Sequence, residues 1–511
     1  MKTILSITAL SLLTTPLFAQ YLDAQYKDQY ALAFTMPSLQ GNARYVSMGG
    51  AFGALGGNLS ALSTNPASIG IYRSSEFSFT PSVTVGSSAT KPLDITNART
   101  RDADRMNFNM GNFGYIAAWD ISKSQSQNEW KMLQFGIGLN RLADFWNRSS
   151  YTGLVNWTYL DELTREANQY GNVPIGTIRG VAWDAKQIYE GETEYSGVMY
   201  ESFHNDLTGA FIDPATGAYS RSGSGLTQNQ YTETSGAINE WAISFGGNYG
   251  DVLYLGATLG VPVVNFRQNR RLTESDAQNN HTWFREWKLE EELRINGNGI
   301  NLKVGATVRP TDFMRIGVAI HTPTRFVLTE NLTIRAGGDY FENGSWKSSS
   351  HRERLDPYEY NIRTPMKLIG SLGFVIGHQA LIGIEYEHLN YGKMRVGGYD
   401  ASSDEDNDFI VDNYGNGGVL RVGGEYRFDP VSLRAGYNFM MDPYHSGSLA
   451  GKEFFGQNIS AGIGFVAGLT TIDLGYVYSL RNYQMKPYPG MTFNQYDVTG
   501  HQFLLTVGWR F

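Results

Sequence analysis

The chain has 511 residues, with 41 Lys+Arg against 49 Asp+Glu, 58 Gly and no Cys. The charge balance argues against a protein held to nucleic acid by phosphate contacts, and the lack of Cys excludes disulfide frameworks, thiolate nucleophiles and Cys-ligated metal centres. Charged residues make up 18 % of the chain, against about 25 % in an ordinary globular protein, and the length alone would imply about three domains.

The first element is a secretory signal. Met1-Lys2 gives a positive start, Ile4 to Leu13 is apolar, Pro16 breaks the run, and Ala19 precedes the expected cleavage. The apolar stretch is shorter than the roughly 20 residues that span a bilayer. No later run approaches that length, so helical spans are not expected. Residues 20–75 show no alternation and are dominated by small residues between Gly41 and Ala67, which permit close backbone packing.

From Phe77 onward the pattern has period two. Ala380, Ile382, Ile384 and Tyr386 alternate with Leu381, Gly383, Glu385 and Glu387. Val431, Leu433, Ala435 and Tyr437 alternate with Ser432, Arg434, Gly436 and Asn438. Ile472, Leu474, Tyr476 and Tyr478 alternate with Asp473, Gly475, Val477 and Ser479. At the C-terminus Phe503, Leu505, Val507, Trp509 and Phe511 share one face. Each segment reads as a strand with one apolar and one polar face. Aromatics near strand ends and charges on the polar faces fit a barrel with lipid outside and a polar lumen better than a soluble sandwich.

Connector lengths support this reading. Short connectors fall at 121–129, 249–251, 310–312, 377–379, 429–430 and 468–469. Long ones fall at 86–106, 146–235, 273–281, 336–354, 396–414, 443–454 and 486–497. The two kinds alternate, as tight periplasmic turns and long outer loops do. They predict an all-β fold: a transmembrane antiparallel barrel of about 14 strands with both termini periplasmic and the 20–75 segment as a plug. Residues 282–310 read as one long strand bent at Gly297-Asn298-Gly299. Its apolar residues Trp287, Leu289, Leu293 and Ile295 sit at odd positions, between charged ones. Within the 146–235 loop, Thr158 to Tyr170 reads as a helix over the outer mouth.

Met48-Gly49-Gly50-Ala51-Phe52-Gly53, followed by Ala54-Leu55, Ser60-Ala61 and Asn65-Pro66-Ala67, resembles the FadL/TodX-type outer-membrane transporters of long-chain fatty acids and other hydrophobic compounds. Asn140-Arg141-Leu142-Ala143-Asp144-Phe145 and the terminal Phe511 add to the resemblance. The pattern departs from the family at Ser63-Thr64, Ser68 and Asn58, and the longest loop follows the third strand. Together with the resemblance, these readings give a signal peptide over 1–19, a hatch over 20–75 and a barrel over 76–511 as the expected organisation. The resemblance implies gating by Met48, Gly49, Gly50, Phe52, Gly53, Asn65, Pro66 and Ala67, and a barrel-assembly signal at Trp509 and Phe511. It further implies a hydrophobic ligand passed from the outer mouth to a lumenal pocket and released through a lateral gap. The expected partners are that ligand, outer-membrane lipid and the assembly machinery. A monomer is expected, with no cofactor and no nucleic acid. Pocket residues are not legible at this level. The alternative is a non-transporting barrel that acts as a scaffold or secretion component.

Other signals read as structural. Gly49–Gly53 lacks the Lys-Ser/Thr of a phosphate loop. Asp404-Glu405-Asp406-Asn407-Asp408 lacks the Gly and distal Glu of a calcium loop and reads as a solvated acidic run. The eight His show no paired metal spacing. Glu385, Glu387, Arg421, Glu425 and Arg427 read as lumenal ion pairs rather than a catalytic set.

Overall fold

The computed structural model describes residues 27–511, except 94, 96–97, 102, 123–128, 156–157, 172, 174–176, 191–199, 203–225, 277–283, 343, 378, 399–401, 446–453, 486–487 and 489–492. The expected signal peptide lies outside the described residues. In chain order the helices are α1 (Lys27–Thr35), α2 (Ala43–Ser47), α3 (Tyr159–Tyr170), α4 (Ile178–Asp184) and α5 (Ser402–Asn413). The strands are β1 (Glu76–Pro92), β2 (Arg99–Arg101), β3 (Ala103–Asp120), β4 (Trp130–Asp144), β5 (Asn147–Val155), β6 (Ile188–Glu190) and β7 (Tyr200–Ser202). They continue with β8 (Leu226–Tyr249), β9 (Leu253–Ser275), β10 (Phe284–Thr311), β11 (Met314–His321), β12 (Arg325–Glu342), β13 (Ser345–Arg354), β14 (Tyr358–Arg363), β15 (Lys367–Ile376) and β16 (Ala380–Asn390). The last are β17 (Arg395–Gly397), β18 (Asn416–Phe428), β19 (Val431–Met440), β20 (Phe455–Ala467), β21 (Thr470–Met485) and β22 (Asn494–Arg510).

These strands build a closed 14-strand antiparallel barrel, several wall positions being shared by two consecutive strands. Closure runs through β1 and β22, with Phe77 opposite Trp509. Phe511 and Ser75 exchange both backbone hydrogen bonds at 3.1 Å, which leaves no free edge there. Around the short turns lie stacked, tilted or edge-on pairs: Phe77–Trp509, Tyr115–Phe511, Trp130–Tyr249 and Tyr426–Phe428. They form an aromatic girdle at that rim.

The apolar face changes side part-way up the wall. On β10, Ile300, Leu302, Val304 and Val308 point outward and are exposed, whereas Trp287, Leu289, Leu293 and Ile295 point inward and are buried. On β9, Leu255, Leu259 and Val263 point outward, whereas Val264, Phe266 and Leu272 are buried. Strand geometry alternates without interruption, so the switch from even to odd apolar positions marks a change of solvent. Below it the wall faces lipid. Above it, roughly 40 Å of sheet stands clear of the membrane, given about 3.3 Å per residue and a barrel tilt. There Arg271–Glu290 and Lys288–Glu286 pair on the outside at 2.8 and 2.6 Å, while α3 and α4 pack inside.

This division corrects three expectations. The 336–354 segment is no loop but the β12/β13 hairpin, with Phe341 opposite Trp346. Its residues are polar on both faces, so alternation gave no signal. The 146–235 connector is shorter than expected, because β5 and the start of β8 extend the wall into it. The 282–310 segment is one strand, but its pairing with β9 keeps a single register from Glu286↔Ser275 to Val308↔Leu253, with no bulge at Gly297–Gly299. Those glycines mark the solvent switch. A Cβ at Gly297 would meet the Val327 carbonyl at 2.1 Å. The helix expected at Thr158 is α3, with Thr158 and Asp161 forming its capping box.

Candidate functional site

Residues 27–72 lie inside the wall, and their turns explain the small-residue motif. Asn42 caps α2 by accepting from Tyr45 N at 2.9 Å and exchanges side-chain hydrogen bonds with Asn58 at 3.0 Å. Asn65 caps the short helix Pro66–Ile71 by accepting from Ala67 N at 3.1 Å. The same side chain donates to the Gly53 carbonyl at 2.6 Å, tying the two halves of the motif together. Pro66 suits the first helical position, where no N–H is needed. Met48, Phe52, Ala67 and Ile69 are wholly buried. Gly49 and Gly50 have φ of 61° and 83°, a region that costs little only for glycine. The wall carries matching glycines: a Cβ on Gly436 would lie 2.1 Å from Gly49 N, and one on Gly305 would lie 1.9 Å from Asn65 Oδ1.

Charge fixes this segment to the wall. Arg44 pairs with Glu425 at 2.8 Å, and Glu425 also accepts from Arg434 at 2.6 Å. Arg434 reaches Asp473 at 2.7 Å. Gly53 N donates to Glu385 at 2.8 Å, and Arg421 bridges Glu385 and Glu387 at 2.7 and 2.5 Å. Lys367 completes that cluster on Glu387 at 3.0 Å. Ser63 donates to Glu240, which is paired with Lys303. His321 Nε2 donates to the Thr64 carbonyl at 2.6 Å. Every carboxylate in this set has a cationic partner, the arrangement that makes burial of charge tolerable.

Above the motif, α1 crosses the lumen. Tyr30 donates to Gln268 at 3.0 Å, Tyr414 donates to Asp28 at 3.0 Å, and the Lys27 ammonium lies 4.2 Å from the Tyr358 ring centre. Phe34 meets Phe145, Phe266 and Phe326. Beside α1 is a cavity of about 540 Å³, within the range of small-molecule sites. Aromatic and aliphatic side chains, among them Tyr30, Met36, Phe145, Phe266, Tyr414 and Tyr488, form most of its lining. Gln230, Gln268, Arg270 and Arg481 add polar groups. Arg270 is neutralised by Glu291 at 2.9 Å and lies over Tyr488 at 4.7 Å. A second cavity, about 130 Å³ and polar, lies between α1 and the Thr64 turn. Met36, Ser38 and Ala143 line both.

The cavity abuts a break in the wall. β3 pairs with β1 as far as Ala103↔Ser88, but its ladder to β4 begins only at Asn112↔Asn140. Beyond Asp144 the chain passes into β5, which pairs with β8 and β2 instead. Side chains close this gap. Asn107 and Asn109 donate to Asp144 at 3.2 and 3.5 Å, as does Arg141 at 3.0 Å. Arg105 reaches Glu233 at 2.6 Å and lies over the Trp146 ring at 3.9 Å. Asp144, Phe145, Trp146 and Asn147 are both the gap's rim and the cavity's lining.

The barrel superimposes on solved structures. A Pseudomonas aeruginosa FadL homologue superimposes with a TM-score of 0.54 at 13 % identity, covering 93 % of this chain and 99 % of its own. The P. putida toluene transporter TodX does so with 0.51 at 14 % identity, covering 93 % and 99 %. The chain has the FadL/TodX fold. No protein-family profile matches it, and no curated protein does, so the relationship is carried by shape.

In this FadL/TodX-type barrel the structure brings Met48, Gly49, Gly50, Phe52, Gly53, Asn65, Pro66 and Ala67 together as the layer beneath α1, and sets Trp509 and Phe511 in the closing seam. Sequence reading missed α1 itself, because its apolar residues surround it rather than line one face. It also missed the cavity, whose walls come from eight or more separated segments. The acidic run is a helix rather than a solvated loop: Asp406 and Ile410 face inward on α5, and Asn407 bonds both the N–H and the carbonyl of Val396. A group of metal-type ligands, Asp184, His351 and Glu353, lies on the outer extension and was invisible to spacing because α4 and β13 contribute to it jointly.

Burial pushes the Asp28 carboxyl up to about 7, against the lowering effect of the Tyr414 hydroxyl. The folded pKa exceeds the ordinary value, so docking of α1 is strongest below the usual carboxylate range and weakens as pH rises through about 7. Protection of the α1 amides, taken as the exchange rate relative to the intrinsic rate at the same pH, is expected to be greater at pH 5.5 than at pH 8.5, and Asp28→Asn is expected to remove that difference. Equal protection at both pH values in the unsubstituted protein would count against this.

Proposed function

We propose that the protein is a passive outer-membrane channel for hydrophobic small molecules. The observation that carries this reading is the apolar cavity of about 540 Å³ opening onto a side-chain-closed gap in the wall, above a lumen filled by residues 38–72. A hydrophobic ligand enters between the outer strands, is held beside α1, and leaves sideways past Asp144 and Trp146 while the layer below keeps the axial path shut. The solute moves down its gradient, so no energy input is required. The resemblance to transporters of the FadL/TodX type supports the same direction. The lumenal carboxylates are engaged in holding the segment rather than poised for proton transfer, which supports a channel over an enzyme. The short turns and both chain ends face the periplasm in this reading, the long connectors face outward, Trp509 and Phe511 present the assembly signal, and the barrel is a monomer.

Filling the cavity tests the proposal. Ala33 lines it from α1, and Ala33→Trp is expected to lower uptake of a labelled hydrophobe by cells about tenfold, since the added indole takes up a large part of a pocket this size. Barrel folding, read by heat-modifiable gel mobility, is expected to be retained. Unchanged uptake by this variant would refute the cavity as the binding site.

A further inference from the structure

On the outer surface, one row of like charges has no counter-ion among the described residues. Arg325 on β12 is directly opposite Arg363 on β14, and Arg363 is directly opposite Arg395 on β17. Adjacent strands lie about 4.8 Å apart, so the three guanidinium stems leave one face side by side. Like charges in this relation destabilise a sheet. Among the described residues none of the three forms an ion pair with a carboxylate. Arg325 and Arg363 are exposed, and Arg395 directs one nitrogen to the Gly392 and Met394 carbonyls at 2.9 and 2.6 Å. Glu359, the carboxylate on the same face of β14, is four positions from Arg363 and opposite Thr329.

The depth of the row is defined by its neighbours. Arg325 pairs with Ile300, the first residue of the lipid-facing run of β10. Towards the short turns come Ile320, Met366 and Leu368, all exposed and apolar. The row therefore stands where the hydrocarbon belt ends. Phosphate oxygens are the anions found at that depth, and the guanidinium fork matches them in two parallel hydrogen bonds. Past the exposed Val327 and Val263 next to the row, the wall has a polar outer face with Glu290, Arg271 and Arg335, so the lipid beside it must carry a tall polar headgroup rather than a small one.

We propose that Arg325, Arg363 and Arg395 form a docking site for the phosphate groups of a phosphorylated glycolipid in the outer leaflet. The assignment rests on the orientation given above, with the long connectors outward. It is independent of what the lumen carries.

Native mass spectrometry of the full-length protein in mild detergent tests it, using a bis-phosphorylated diglucosamine glycolipid, its dephosphorylated form and phosphatidylglycerol as probes. The phosphorylated glycolipid is expected to be retained about tenfold more than the dephosphorylated one, because the charge-assisted contacts disappear with the phosphates. The triple variant R325Q/R363Q/R395Q is expected to lose that preference, and the matching Lys variant to keep most of it. Equal retention of the two glycolipids, an unchanged preference in the Gln variant, or stronger retention of phosphatidylglycerol would overturn the proposal. If the Gln variant does not fold, the comparison of glycolipids on the unsubstituted protein decides alone. Labelling of intact cells at an epitope within 203–225 reads the orientation separately. A shielded epitope would indict the orientation, whereas an accessible epitope without phosphate preference would indict the site.

Discussion

Joining β3 to β4 by a disulfide between Asn107→Cys and Asp144→Cys is expected to stop delivery of the ligand. The two side chains already meet at 3.2 Å across a stretch of the described wall where β3 and β4 share no backbone ladder. The chain has no native Cys, so the engineered pair has no competitor. A bond across the gap holds the strands at a Cα separation of about 4.4–6.8 Å, too close for an aromatic ring or an alkyl chain to pass. Uptake is expected to fall by about tenfold or more on oxidation, as it does when a required opening is locked, and to recover on reduction. The reduced variant is expected to be at least as active as the unsubstituted protein, because Asp144 no longer accepts from Asn107, Asn109 and Arg141. Normal uptake with the cross-link complete would show that the ligand leaves along the barrel axis.

The second large effect concerns the segment beneath α1. Replacing Gly436 with Val puts side-chain atoms where Gly49 N and the Met48 carbonyl carbon lie, 2.1 and 2.3 Å from the first added carbon. Those are backbone atoms and cannot rotate away. Small-to-large changes in packed sites typically cost about 1–3 kcal/mol, and here the least expensive response is for residues 41–57 to leave the wall. Conductance in planar bilayers is expected to rise from nearly closed to a steady open pore, because a barrel of this strand number is wide once emptied. Deleting 20–67 is expected to give the same open pore and to change hydrophobe uptake. A tight barrel after either change would mean that the segment does not seal the lumen, and unchanged uptake after the deletion would remove its role in gating.

The barrel was legible because one physical rule governs most of it. Residues such as Ile472, Leu474, Phe503 and Leu505 face lipid, and their alternate neighbours Asp473 and Thr506 face the segment inside, so period two appears directly in the sequence. The same rule hid the outer extension. Above Val263 and Ile300 the apolar residues change parity because water replaces lipid outside, and strand β13 (Ser345–Arg354) has no apolar face at all. That parity change was present in Trp287-to-Val308 and could have been read as the membrane surface. The Asn65-Pro66-Ala67 turn was legible because it depends on local chemistry: a side-chain cap, a proline without an N–H and a small residue. The cavity was not, since Tyr30, Phe145, Phe266, Tyr414 and Tyr488 come together only through closure of the barrel. The break at Asn107–Asp144 was equally hidden, because it consists of a missing ladder and not of a residue type.

The most direct test of a hydrophobe-carrying lumen is a structure of the full-length protein equilibrated with a hydrophobic aromatic or long-chain probe. Density for the probe is predicted in the cavity beside α1, in contact with Phe145, Phe266 and Tyr488. A probe bound only on the lipid-facing belt, with that cavity empty in a protein that still supports uptake, would contradict the account.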